Sequence, residues 1–177
     1  MNDLIFLREP TAADVPQLDE WSHSLEFRGE FNDFGLPPKS AADRFESGFI
    51  TETNGSLIIC ETTTGKPVGT IDWRPSMYGA PPESMAFQFG ISLSPETRGK
   101  GYGPEAMRKV ADYLFAHTKT NRVEGSCDAE NVPSQRAMLK AGYVYEGTIR
   151  KAQWRRGAYH DLMYFGRLRD DAVPPDA

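Results

Sequence analysis

Residues 91–106 read ISLSPETRGKGYGPEA and run from an apolar strand, through a glycine-rich basic turn, into a helix with proline near its start. Within the turn, Arg98, Lys100 and Tyr102 alternate with three glycines. Glycine lets successive backbone N–H groups converge, and a helix start adds unpaired N–H donors and the positive end of the helix dipole. The stretch therefore predicts a cradle for a pyrophosphate, to which Arg98 and Lys100 add charge.

The turn has three other possible interpretations. The glycine spacing alone is equally typical of a surface turn with solvated charges. A dinucleotide-binding fold places such a turn after the first strand of a parallel unit, whereas several antiparallel strands are predicted before this one. The phosphate loop of nucleotide hydrolases needs serine or threonine after a glycine–lysine pair, and here Tyr102 follows Gly101. The sequence around the turn must therefore identify the ligand.

Charge is distributed unevenly along the chain. The 177 residues carry a net charge of −5, and 39% of them are hydrophobic, which fits one domain with a sizeable core. Residues 1–97 hold 6 basic and 15 acidic side chains, whereas residues 98–169 hold 14 and 7. Such asymmetry indicates partners of opposite sign for the two halves. We expect an anionic ligand to bind the second half.

Several classes of protein are excluded by simpler features. Apolar runs are only a few residues long, so no transmembrane helix is expected. The acidic N-terminal residues lack the features of a signal peptide, which favours a cytoplasmic protein. Cys60 and Cys127 lack the paired spacing of a zinc site, so we expect buried thiols and no metal.

Hydrophobic periodicity predicts a single α+β domain over residues 1–169 and a disordered acidic tail at 170–177. Glycine- and proline-rich loops at 27–38 and 78–83 are expected to select the substrate. The predicted strands span 4–7, 56–61, 67–73, 85–93, 123–128, 144–151 and 159–168, and the predicted helices span 11–22, 40–47, 104–117 and 133–141.

The motifs follow one another in the order of a known family. The turn at 98–103 resembles the Arg/Gln-x-x-Gly-x-Gly/Ala motif with which the GNAT acyltransferases hold the pyrophosphate of acetyl-coenzyme A. The whole set is similar to the RimJ/RimL-like branch, which acetylates ribosomal-protein N-termini. It implies a GNAT fold over roughly residues 4–168, with a mixed, mostly antiparallel, twisted sheet of about seven strands flanked by helices. Further matching motifs are Asn131-Val132-Pro133-Ser134, Lys140-Ala141-Gly142-Tyr143, Glu146-Gly147, Arg150 and Tyr159-His160-Asp161.

The same resemblance implies a binding site for acetyl-coenzyme A made of three segments. In the family, the strand before the turn splays from its parallel neighbour, and the pantetheine arm lies in the gap. Asn131 is equally typical of a helix cap. The implied cofactor residues are Ile91, Ser92 and Leu93 on the strand, Arg98, Gly99, Lys100, Gly101, Tyr102 and Gly103 in the turn, and Asn131 with Ser134 at the next helix.

Acyl transfer to an amine needs an oxyanion donor, a base and an acid for the leaving sulfur. Many family members place a tyrosine acid seven residues after the asparagine, where this chain has Met138. Ser134 and Tyr143 remain candidates for that role. Gln88 replaces a frequent glutamate and cannot be a base, so the base is either ordered water or one of Asp72, Glu83, Asp128 and His160.

The expected function is direct transfer of an acetyl group from acetyl-coenzyme A to a primary amine, on a protein N-terminus or a small molecule. Glu26, Glu30, Phe31, Phe34 and Gln88 are the expected acceptor contacts. A first alternative is an aminoacyl-tRNA-dependent acyltransferase, with Arg150, Lys151, Arg155 and Arg156 around Trp154 contacting RNA. A second is a noncatalytic coenzyme A-binding module, which Met138 and Gln88 favour. Homodimer formation stays open.

Overall fold

The computed structural model describes residues 3–38 and 40–172, which form one seven-stranded sheet flanked by helices. The strands lie in the order β1-β2-β3-β4-β5-β7-β6. They are β1 Ile5–Arg8, β2 Gly55–Glu61, β3 Pro67–Met77, β4 Met85–Leu93, β5 Arg122–Asp128, β6 Val144–Arg155 and β7 Ala158–Leu168. The α-helices of the described residues are α1 Val15–His23, α2 Leu25–Arg28, α3 Ala41–Glu46, α4 Tyr102–His117 and α5 Val132–Lys140.

The pairing of β4 with β5 is the irregular feature of the sheet. The other neighbouring strands are antiparallel, whereas β4 and β5 are parallel and in register only at Phe87↔Val123 and Gln88↔Glu124. Both strands continue well beyond these pairs, to Leu93 and Asp128. The two strands therefore diverge, and a gap opens between them.

The backbone of β4 alternates between its two neighbours. Ser94 N–H donates to the Val68 carbonyl at 2.9 Å, next to the last β3–β4 pair. In an antiparallel ladder, every second residue shares this direction. Ser92 therefore directs its backbone groups to β3, while Ile91 and Leu93 direct theirs into the gap.

Helices α4 and α5 cover the apolar face of the sheet. On α4, Met107, Val110, Ala111 and Leu114 recur at helical spacing and are at most 3% exposed. They pack in one cluster with Ile71, Trp73, Phe87, Phe89, Val123 and Cys127 of the central strands. This core fixes α4 and α5 beside the gap.

The opposite face of the central strands is polar, because strand side chains alternate between the two faces. A hydrogen-bonded chain crosses it: Arg74 Nη2 donates to Gln88 Oε1 at 2.6 Å, and Gln88 Nε2 donates to Ser126 Oγ at 3.3 Å. We call this surface the polar face. Its residues are Asp72 and Arg74 of β3, Gln88 and Gly90 of β4, and Glu124, Ser126 and Asp128 of β5.

The predicted fold class is confirmed, and the differences concern the ends of elements. Strand β3 continues through Pro75 to Met77, because residues 74–77 pair with the start of β4. Strand β6 reaches Arg155, which the charged sequence did not suggest. The predicted loop at 27–38 includes the end of α2 and a 3-10 turn at Glu30–Asn32.

Two further expectations bear on the ends and surface of the chain. Residues 173–177 of the predicted tail lie outside the described part, whereas Asp171 accepts a hydrogen bond from Leu168 N–H at 2.8 Å. The described residues contain no helix long and apolar enough to cross a bilayer. Cys60 and Cys127 are buried free thiols, as predicted.

Candidate acetyl-coenzyme A and acceptor site

The glycine turn places bare backbone at the start of α4. Gly99 and Gly101 have φ of +78° and +87°, in the left-handed region that other residues rarely adopt, and Gly101 immediately precedes the helix. A Cβ at Gly101 would lie 3.3 Å from Leu4 Cδ1. Gly101, Gly103 and Pro104 line a groove beside the turn, so the backbone at the start of α4 faces any ligand there.

A groove of about 470 Å³ runs from this turn along β4 to α5. Ile91 and Leu93 form its strand wall, and Asn131 and Ser134 form part of its helix wall. Arg136 and Lys140, four residues apart on α5, also line it. Sequence reasoning missed these two cations, although their spacing after Asn131 was a usable signal.

The side chains of the turn are used differently from what we expected. Arg98 donates to three backbone carbonyls, those of Leu93 at 3.1 Å, Glu26 at 2.8 Å and Phe27 at 2.9 Å. Its guanidinium therefore fastens α2 to the rim of the groove, which Arg98 also lines.

Lys100 and Tyr102 contribute backbone rather than side chain to the turn. Lys100 is exposed and does not line the groove. Tyr102 is 7% exposed, and its hydroxyl donates to the Glu61 carboxylate. That bond raises the pKa of Tyr102. Its side chain is buried in the apolar core.

A smaller cavity of about 110 Å³ occupies the gap between β4 and β5. Ile91, Asn131 and Ser134 line both this gap cavity and the groove, so they mark the junction of the two. Asn131 Oδ1 accepts from Ser134 N–H at 3.2 Å. Asn131 is therefore a helix cap that also faces the cavity, and both of the expected roles are compatible.

The two candidate proton donors differ sharply in position. Ser134 is half-buried at the junction, beside Cys127, whose pKa burial raises to about 11. Tyr143 is 2% exposed and donates to the Met107 carbonyl at 3.0 Å. Burial raises the pKa of Tyr143 strongly. This geometry argues against Tyr143 as an acid, while Met138 lines the gap cavity without a proton to give.

Asp72 lines a third cavity, of about 960 Å³, on the polar face. Desolvation of the carboxyl by the surrounding protein raises the pKa of Asp72 above the ordinary value, against the opposing charges of Arg44 and Arg74. Gly90 lies directly across the ladder from Asp72 and also lines the gap cavity. A Cβ at Gly90 would lie 3.3 Å from Asp72 Oδ1. Because Gly90 has no side chain, nothing from this residue stands between Asp72 and the gap cavity.

The expected acceptor residues lie in three different places. Phe31 lines the gap cavity under the guanidinium of Arg155, which lies 5.1 Å from its ring centroid and donates to the Glu30 carbonyl at 2.8 Å. Glu26 and Glu30 have exposed side chains, with Glu30 ion-paired to Arg156 at 3.8 Å, and Phe34 is 43% exposed; all three lie outside the groove and the gap cavity. Gln88 belongs to the hydrogen-bonded chain of the polar face.

Arg155 also changes the expectation that it contacts RNA, and it bears on a cluster of possible metal ligands beside it. It is 3% exposed and ion-paired with Asp128, so it is not available to RNA. Asp128, Glu130 and His160 bring possible ligand atoms within 4.8 Å of one another. The Arg155 guanidinium already neutralises Asp128, and its charge opposes a cation, so we assign no metal there.

A family model described as "Acetyltransferase (GNAT) domain" matches residues 5–144. With the splayed strands and the glycine turn, this match places the chain in the GNAT acetyltransferase family. The curated relative YnaD of Bacillus subtilis, an uncharacterized N-acetyltransferase, is 29% identical over 85 residues, which cover 48% of this chain and 50% of YnaD. The chain thus spans about half the length of the curated relatives it matches.

Solved structures share the fold over nearly the whole chain. Spermidine N-acetyltransferase from Vibrio cholerae, in complex with coenzyme A and spermine, superposes with a TM-score of 0.80 at 17% identity and covers 96% of this chain and 98% of its own. RimL, the ribosomal L7/L12 N-terminal acetyltransferase in complex with coenzyme A, gives a TM-score of 0.78 at 17% identity, with 97% of each chain covered.

The Gly101→Val substitution tests the turn. A β-branched side chain at φ +87° would displace the α4 start and cover its N–H groups, so we expect coenzyme A to bind at least about tenfold more weakly. Isothermal titration measures the loss.

Gly65→Val is the matched control. Gly65 has φ +69° in the β2–β3 turn, and a Cβ at this position would have nothing within 4 Å, so the substitution introduces similar backbone strain away from the groove. We expect it to lower stability without weakening coenzyme A binding. Equal affinity of the Gly101 variant and wild type would refute the cradle.

Proposed function

We propose that this protein transfers an acetyl group from acetyl-coenzyme A to a primary amine, with both substrates bound together. The observation that carries the proposal is the continuous path from the glycine turn, along the gap-facing backbone of β4, to the junction at Ser134. The amine would approach this junction from the polar face, past Gly90.

The described residues fit coenzyme A by shape and charge. Gly101 and Gly103 line the groove with bare backbone at the start of α4, which suits a pyrophosphate. Arg136 and Lys140 supply positive charge farther along the groove. Ile91 and Leu93 offer gap-facing backbone groups to an extended arm, as an edge strand does in β-augmentation. Ser92 directs its backbone to β3, so only alternate residues would take part.

Bound acetyl-coenzyme A supplies a thioester: a C–N bond to the amine forms and the C–S bond breaks. An ammonium acceptor loses two protons in the reaction, one to a base before attack and a second to Ser134, which replaces the proton that its hydroxyl gives to sulfur. On this chain, a gap-facing N–H of β4 would stabilise the oxyanion. Asp72 would accept the ammonium proton, directly or through water, because its raised pKa suits a base nearer neutral pH. Ser134 would donate to sulfur.

The acceptor is proposed at the level of a primary amine. The structural neighbours include a spermidine acetyltransferase bound to spermine and an acetyltransferase of a ribosomal-protein N-terminus. Their low identity supports the fold alone, so the choice among amines has to come from this chain's own cavities. The burial of Arg155 weakens the tRNA-dependent alternative.

Ser134→Ala compares the two candidate acids. We expect kcat to fall at least about tenfold while acetyl-coenzyme A affinity changes little, because the hydroxyl acts on the leaving sulfur. Tyr143→Phe should leave kcat near wild type and lower stability by about 1 kcal/mol through its lost hydrogen bond. Thiol release with a panel of primary amines measures kcat for both variants. Absence of amine-dependent release in wild type would contradict the proposed function.

Asp72→Asn tests the base. A base acts when deprotonated, so wild-type kcat/KM should rise with pH through the Asp72 pKa, which lies above the ordinary aspartate value. We expect the Asn variant to lose this rise and about 100-fold in kcat/KM near neutral pH. Glu46→Gln, on exposed α3 outside the cavity, removes the same charge and should keep the profile. An unchanged profile in the Asn variant would exclude Asp72.

A further inference from the structure

The Asp72 cavity contains charges of both signs that the proposed chemistry does not use. Arg44 on α3 and Arg74 on β3 line it together with Asp43 and Asp72. Among the described residues, no ion pair within 4.0 Å involves any of these four side chains. Two guanidinium and two carboxyl groups therefore share one solvent-filled space without neutralising one another directly.

Each arginine makes a contact that orients its guanidinium and leaves some of its N–H donors available to a ligand. The Arg44 guanidinium lies 5.4 Å from the centroid of the Phe49 ring, a contact that leaves its edge N–H groups available. Arg74 directs Nε and Nη2 to Gln88 Oε1, at 3.1 and 2.6 Å, and thereby holds its guanidinium on the polar face. A neutral amide is its partner there, so its charge is not compensated.

The cavity is placed to serve the acetyl-transfer junction. Asp72 pairs across the ladder with Gly90, and Arg74 with Gln88, which is one of the last β4 residues still paired to β5. Asp72 and Arg74 are two residues apart on one strand face, so roughly 7 Å separates their Cα atoms. A positive group at Asp72 and a negative group at Arg74 would therefore belong to the same small molecule or chain end.

We infer that the acceptor is an amine that also carries a carboxylate within a few bonds, as in an amino acid, and that Arg44 and Arg74 bind this carboxylate. The inference rests on the proposed acetyl transfer and specifies its acceptor. Arginine suits the role because its planar donors match a carboxylate in pairs. With Asp72 toward the ammonium group, the balanced cavity is complementary to a zwitterion.

A purely cationic polyamine would fit this cavity less well. Its second positive charge would approach Arg44 or Arg74, and like charges brought together at a binding site oppose association. The exposed carboxylates of Glu26 and Glu30, which we expected to attract a cationic acceptor, lie outside the cavity lining. The charges nearest to Asp72 therefore favour an acid-bearing amine over a polyamine.

Matched acceptor pairs test the inference in the intact protein. Leucine and isoamylamine, or phenylalanine and phenethylamine, differ only in the carboxylate, and spermidine and a peptide with N-terminal aspartate complete the panel. We expect wild type to favour the acid of each pair by about 10- to 100-fold in kcat/KM, the range for hydrogen bonds to a charged group. The peptide shows whether a side-chain carboxylate also serves.

Variants of the two arginines locate the binding group. Arg44→Gln and Arg74→Gln should each raise KM for the amino acid about tenfold or more, and each should lower the ratio of kcat/KM for the amino acid to kcat/KM for the decarboxylated amine by about the same factor. Arg44→Lys, which keeps the charge, should recover part of the preference. Lys119→Gln removes one exposed positive charge outside the cavity lining and should leave kcat/KM unchanged for both the amino acid and the decarboxylated amine.

Different results would contradict the carboxylate-bearing acceptor and the acetyl transfer itself. Equal kcat/KM for both members of each pair, or a preference for the acid that survives both arginine substitutions, overturns the inference and leaves acetyl transfer intact. Thiol release with no amine of the panel overturns the proposed function, and the inference with it.

Discussion

The early end of the parallel pairing between β4 and β5 is the constraint on which the rest of the site depends. Only two residue pairs join these strands, although each strand continues for several residues. Backbone N–H and C=O groups are rarely left without partners inside a fold, because an unsatisfied group costs about 1–3 kcal/mol. The gap-facing groups of Ile91 and the N–H of Leu93 therefore require water or a ligand.

The elements around the gap follow from that divergence. The β4 strand leads into the glycine turn and α4, while β5 leads into the Asn131 cap and α5, so two helix starts meet at the open end of the sheet. The apolar core, to which residues of α4 and α5 both contribute, fixes the positions of these two helices. The opposite face remains polar, and Gly90 connects it with the gap. Donor and acceptor can thus approach one reaction point from different sides of a single sheet.

Much of this arrangement could be predicted from local sequence. Glycine spacing, helix caps and strand alternation act over a few residues, and they located the turn, the strands and the helices other than the short α2 within a few positions. The contacts of individual side chains, in contrast, depend on partners that are distant in sequence. Arg98 reaches α2, Tyr143 reaches the Met107 carbonyl and Arg155 reaches Asp128, and none of these contacts leaves a sequence signal. The Asp72 cavity, likewise, is lined by residues of α3, of the segment between α3 and β2, and of β3, which are distant in sequence.

Amide hydrogen exchange, resolved by residue with NMR, tests the central claim most directly. The account predicts that the Ile91 and Leu93 amides exchange rapidly in the free protein and slow at least about tenfold when coenzyme A saturates it, because the arm then supplies their partners. The Ser92 amide, already bonded to β3, should be slow in both states. Unchanged exchange at Ile91 and Leu93 in the saturated protein would contradict the account.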